Sequence, residues 1–154
     1  PYTTLFRSSL LLLLTLAVSA SAAAVKMTVG VRFWRESGDK ESMADSAVDT
    51  TREATLTRQP NGTFTLELPV KQLSSMNMTG RLTGIAIGEV NYDGTLSGDL
   101  SDGTAVLTLK NLPASVLTGS DSSKALAVTC SIKMDTILLG DITTSAKMSV
   151  WVER

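Results

Sequence analysis

Hydrophobic and polar residues alternate with a period of two along much of the chain, and the first such run opens a charged loop. Val25, Met27, Val29, Val31 and Phe33 alternate with Lys26, Thr28, Gly30, Arg32 and Trp34, which predicts a strand with one buried face. The polar run Arg35 to Glu41 follows, then Ser42-Met43-Ala44-Asp45-Ser46-Ala47. That segment is too short and small-sided for an ordinary helix and predicts a single 3₁₀ turn. Further strands are expected over 52–59, 63–69, 81–88, 104–110, 124–134 and 145–153, with another near 95–100, between turn signals such as Pro60-Asn61-Gly62. No window of a dozen residues carries a helical period. Seven or eight short strands at this spacing predict an all-β fold, an immunoglobulin-like antiparallel β-sandwich with one short 3₁₀ turn.

The segment ahead of the first strand has a different character. Pro1 to Ser8 match the translation of a common sequencing adapter and are expected to be non-native. Ser9 to Val18, with the run Leu10 to Leu14, is apolar but far short of the roughly 20 residues that span a bilayer. Small residues in an A-x-A-like pattern follow, so 9–23 reads as a secretory signal peptide and 24–154 as a single domain of about 130 residues. Its charge is nearly balanced, 14 basic against 15 acidic residues in the whole chain, with no basic patch to suit nucleic acid. Cys130 is the only cysteine, so no internal disulfide forms, and its phase with Leu126, Val128, Ile132 and Met134 predicts a buried thiol.

Candidate chemistry narrows quickly. The chain has no histidine, which removes the usual base at neutral pH and any Ser/His/Asp or Cys/His site. Glu36, Asp39, Glu41, Asp45 and Asp49 share one polar loop and its exit, where solvated turn residues are the expectation. Asp93, Asp99 and Asp102 lie in a Gly-rich stretch of oxygen ligands that suits Ca²⁺ in kind, but the spacing matches no EF-hand, and Asp-Gly pairs are what hairpin turns require. A non-enzymatic protein is expected. Trp34 and Trp151 fall out of phase with the buried faces of their strands, as half-exposed contact points for a partner or a sugar, or as rings packed on a lysine stem.

The order of features resembles one family. A first strand, a charged loop, the Ser42-Met43 turn, the extended Arg52 to Gln59, the strand Thr63 to Leu68 and the segment Met78-Thr-Gly-Arg-Leu-Thr-Gly-Ile85 are similar to the NEAT domain, the haem-binding β-sandwich of Gram-positive cell surfaces. The resemblance implies haem or haem-protein capture at the surface, in a groove between the Ser-containing turn and the last hairpin. It also implies a Tyr-x-x-x-Tyr motif on the final strand, which this chain lacks, since Tyr2 aside its only tyrosine is Tyr92. Among the remaining protein ligands for haem iron are Met and Cys, so the expected haem-facing residues are Ser42, Met43, Met134 and Met148. The alternative is a structural or adhesive cell-surface domain that kept the fold, lost haem and contacts another surface protein.

Overall fold

The computed structural model describes residues 23–136 and 140–154. The expected non-native residues 1–8 and nearly all of the expected signal peptide lie outside them. Ten strands follow in order: β1 (Val25–Arg35), β2 (Ala54–Arg58), β3 (Phe64–Pro69), β4 (Leu73–Ser75), β5 (Met78–Ile87), β6 (Val90–Asp93), β7 (Thr95–Ser97), β8 (Val106–Leu112), β9 (Leu126–Met134) and β10 (Asp141–Val152). All pairings are antiparallel, in the order β4-β5-β9-β10-β1-β2-β3-β8-β7, with β6 added on β5 and no closure into a barrel. This is the expected β-sandwich.

The opening strand links the two layers. β1 pairs with β2 from Val25 to Val29 and with β10 from Val29 to Arg35, so its pairing changes sides at Val29. Its alternation works as predicted, for Val29, Val31 and Phe33 are buried and join Leu56, Leu66, Leu68, Leu107, Leu109, Ile132 and Val150 in one apolar core. Burying these side chains is the main favourable term in folding, at roughly 25 cal/mol per Å² of apolar surface.

Three local features differ from the sequence expectation. β4 and β5 form a hairpin whose two-residue turn, Met76-Asn77, has positive φ at both positions (51° and 63°). Such turns favour Asn and Gly, so Met76 gave no signal. The Asp93 end of the Gly-rich stretch, expected to be turn, belongs to β6, and Gly94 then carries the chain from β6, paired with β5, to β7, paired with β8. A Cβ on Gly94 would lie 2.3 Å from the Leu107 side chain, so only glycine lets the chain pass there. Besides the expected 3₁₀ turn at Met43–Ala47, two more occur at Ala114–Val116 and Ser122–Lys124, the latter capped by Asp121. At three residues each, they are too short to leave a periodic trace.

Candidate functional site

The Met43–Ala47 turn is held by its own side chains. Ser42 is its N-cap, with an extended backbone and an Oγ that accepts from the Ala44 N–H at 3.3 Å. Ala44 and Ala47 have no exposed surface, and a larger residue at either would push the turn off the core. Asp45 reaches back to β1, where Oδ1 accepts from the Phe33 N–H at 2.8 Å, while the Ser42 N–H donates to the Phe33 carbonyl at 2.9 Å. The turn therefore stands in for a neighbouring strand on this edge of β1. Burial raises the pKa of Asp45, and the Phe33 N–H opposes that rise by stabilising the carboxylate. On the far side the Lys71 N–H donates to the Ala47 carbonyl at 2.9 Å, which ties the turn to the segment leading into β4.

Beside the turn lies an open groove of about 540 Å³. Ser42, Met43 and Ser46 form one wall, Ser74 and Ser75 another, and the cations Arg32, Arg35 and Lys71 stand against the carboxylates Glu41 and Asp45. Arg32 also meets Glu41 at 3.4 Å and lies over the Trp34 ring at 5.4 Å from its centroid, so its charge is partly balanced and its plane is fixed. Lys71, Ser74 and Ser75 were not apparent as site residues in the sequence, because only the path from β3 to β4 brings them to the turn.

The four residues named from the sequence separate into two pairs. Ser42 and Met43 line the groove, with Met43 partly buried. Met134 and Met148, expected to face the same groove, belong to the core instead, at 6% and 0% exposure. On β10 the inner face is Ala146, Met148 and Val150, and the outer face carries Thr143, Ser145, Lys147, Ser149 and Trp151. Two outward positions four apart could carry a Tyr-x-x-x-Tyr pair, but these hold Thr, Ser, Lys and Trp. Met134 packs against Gly80, whose added Cβ would lie 3.0 Å from its sulfur. Among the described residues none from β9 or β10 lines the groove.

The other candidates resolve as structural parts. Asp99 Oδ1 accepts from the N–H and hydroxyl of Ser101, and Asp102 Oδ1 accepts from those of Thr104, so each carboxylate closes its own turn. Among the described residues no group of three or more His, Cys, Asp or Glu could hold a metal ion. Cys130 is fully buried, and burial pushes its thiol up to about 12. Asp49 is pulled down to about 2, first by the Thr51 hydroxyl and then by Arg52. Both tryptophans are half-buried on the outer face of β1 and β10. The Trp34 Nε1 donates to Ser149 Oγ at 2.9 Å, and Trp151 lies across Gly30, where a Cβ would meet the indole at 2.3 Å. Among the described residues no helix is long and apolar enough to cross a membrane.

No protein-family model matches the chain, and no curated protein matches its sequence. Solved structures do match the fold. One is the NEAT5 domain of IsdX2, a B. anthracis hemophore in complex with heme, with a TM-score of 0.53 and 12% identity over 86% of this chain and 99% of that one. Another is a point mutant of the same domain, also with heme, at a TM-score of 0.55 and 11% identity over 86% of this chain and 98% of that one. The fold is NEAT-like. At such low identity the similarity concerns architecture alone, so what the NEAT-like domain binds must be argued from its own residues.

Proposed function

We propose that this NEAT-like domain is a non-enzymatic binding module, exported to a Gram-positive cell surface, that takes haem or a haem-bearing protein at the groove beside the Met43–Ala47 turn. The observation that carries the proposal is the donor set of that groove. It offers one thioether, Met43, hydroxyls from Ser42, Ser46, Ser74 and Ser75, and the cations Arg32, Arg35 and Lys71, of which Arg32 is paired with Glu41, leaving Arg35 and Lys71 for the carboxylates at a haem edge beside the hydrogen-bonded Asp45. It offers no tyrosine, for Tyr92 sits on β6 and the outward side chains of β10 carry no phenol. The residues therefore fit a haem held by its carboxylates and by Met43, and they do not fit a tyrosinate-bound ferric iron. Haem, when bound, supplies an iron whose preference for a soft sulfur is greater in the reduced state.

The test is a Soret-band titration of the purified protein with ferric and then ferrous haem. Ferric binding should be weak and should tighten on reduction. Met43→Ala should abolish the gain on reduction, and Lys71→Ala should weaken both states by loss of a carboxylate partner. Tight one-to-one ferric binding that is indifferent to Met43→Ala would refute this assignment. A structural or adhesive module without haem is the second reading, favoured by the outer face of β10, which carries no tyrosine, and a Soret band that stays unchanged in both states would remove haem and leave it as the better account.

A further inference from the structure

We infer that Met43, Met76 and Met78 form a thioether site for a soft monovalent metal ion, copper(I), at the tip of the β4–β5 hairpin. Met76-Asn77-Met78 puts two of the chain's six methionines within three residues, at the turn of that hairpin. Residues directly opposite each other on paired strands share a face. Leu73 and Gly80 are such a pair and both are buried, so two residues nearer the tip Ser75 and Met78 continue the same face. Ser75 also lines the groove with Met43, and the Met43–Ala47 turn comes within 8 Å of both β4 and β5, Cα to Cα. Met43 and Met78 are each partly buried at the margin of the core. A further sulfur stands on this face: Gly80 has no side chain, and Met134 Sδ fills the space, 3.0 Å from where a Cβ would lie.

Met76 is the residue that packing leaves unexplained. It is 87% exposed, and its φ of 51° belongs to the left-handed region that favours Asn or Gly at this turn position. An apolar side chain there strains the backbone and gains no burial in return, a combination that accumulates where a side chain serves a ligand.

The donor set selects the ion. Thioethers are neutral, soft donors, and the chain adds no imidazole, since it has no histidine, and no accessible thiolate, since Cys130 is fully buried. Donors of this kind take copper(I), whereas zinc goes to thiolate and imidazole and calcium to oxygen. The nearby Arg35 and Lys71 oppose a divalent ion more than a monovalent one. A methionine side chain has three rotatable bonds, so sulfurs carried on neighbouring segments can converge on one ion. Met43 is shared with the haem reading, but Met76 and Met78 have no part in it, so failure of haem binding leaves this site standing.

The first probe is silver(I), which shares the charge and softness of copper(I) and is stable in air, added to purified haem-free protein with ¹³C-labelled methionine methyls. One equivalent should shift the Met43, Met76 and Met78 signals together and leave those of Met27 and Met148 in place, and zinc(II) should shift none. Copper(I) supplied on a chromophoric chelator without oxygen should then transfer to the protein. Met43→Leu, Met76→Leu and Met78→Leu keep the apolar volume, and each should weaken copper(I) binding at least about tenfold, a loss of about 1.4 kcal/mol. Met27→Leu should leave it unchanged. Met76→Asn separates the site from the turn, for it should raise the urea midpoint while weakening copper(I) binding as Met76→Leu does. A silver(I) response confined to Met76, as at any exposed thioether, an equal response to zinc(II), or full copper(I) binding by the folded leucine variants would each overturn the inference.

Discussion

Replacing Arg52 with alanine should be among the most damaging single changes outside the apolar core, and its size follows from three bonds. Arg52 Nη2 donates to the Ala105 carbonyl at 2.7 Å and to the Val70 carbonyl at 3.3 Å, and its Nε donates to Asp49 Oδ2 at 2.8 Å. Val70 and Ala105 are 2% and 0% exposed, so the guanidinium serves the junction of β3, β8 and the loop after the turn. The Ala105 carbonyl keeps the Val70 N–H at 3.1 Å, so the loss is chiefly that of hydrogen bonds from a charged donor, about 1.5–3 kcal/mol. Water can reach part of the gap, because the Arg52 side chain is 28% exposed, so a total loss of ~2–3 kcal/mol is expected. With a urea m-value of roughly 2 kcal/mol/M the midpoint should fall by about 1 M or somewhat more. Arg52→Lys keeps the charge but lacks the planar fork, and it should recover only about half. Equilibrium urea denaturation followed by tryptophan fluorescence measures both, and a loss under ~0.5 kcal/mol for Arg52→Ala would refute the role given to these carbonyls.

Three further outcomes are expected. Because Asp49 is held down to about 2 in the folded protein, its contribution is fully present above the ordinary carboxylate range near 4 and is lost as pH falls toward 2. In Asp49→Asn that acid-linked part of the loss should be missing from urea midpoints measured between those limits. Asp45 has the opposite sign, since burial raises its pKa and its ionised form weighs against the fold once pH rises above the carboxylate range. Asp45→Asn keeps an acceptor for the Phe33 N–H and should be neutral or stabilising at pH 7, whereas Asp45→Ala should lose about 1–2 kcal/mol in the same assay. Cys130, fully buried with its thiol pushed up to about 12, should react with a thiol reagent only through opening of the fold. Rapid native labelling, or a cost for Cys130→Ala far from ~1–2 kcal/mol, would contradict that placement.

How far the sequence was legible depended on how many residues carried each signal. β1, β3, β9 and most of β10 show alternation over long runs, and it identified the buried faces, Cys130 included. β4 and the two short 3₁₀ turns span three residues each, too few for any period to register. The Met43–Ala47 turn was readable because its segment is short and small-sided, and the small residues Ala44 and Ala47 are the ones that anchor it. The charge of its groove was not, since Lys71 arrives through the β3–β4 connection and Arg32 projects from the outer face of β1. Met148 shows how two signals can conflict. Its phase with Ala146 and Val150 put it on the inner face, while the resemblance drew it toward the groove, and the period of the strand prevailed because a one-residue slip would turn every side chain of β10 over.

The groove beside the turn and the cleft lined by Val31 and Trp151 both follow from the division of β1 between two partners. A strand that pairs with β10 along seven residues and with β2 along five, sharing only Val29, must leave part of one edge without a strand beside it. That edge is completed piecemeal: Lys40 takes the Arg35 N–H, Asp45 takes the Phe33 N–H, and the Ser42 N–H meets the Phe33 carbonyl. The turn is thereby fixed against the sandwich by exposed and half-buried polar groups instead of a continuous ladder, which leaves its outer side free to form the groove with Met43. The repair ends before Val31, and the cleft occupies the gap. A longer β2 reaching back to position 52 would pair Val31 and close the fork. The same extension would take Arg52 from the Val70 and Ala105 carbonyls, so the bonds that hold the core junction together also keep the cleft open.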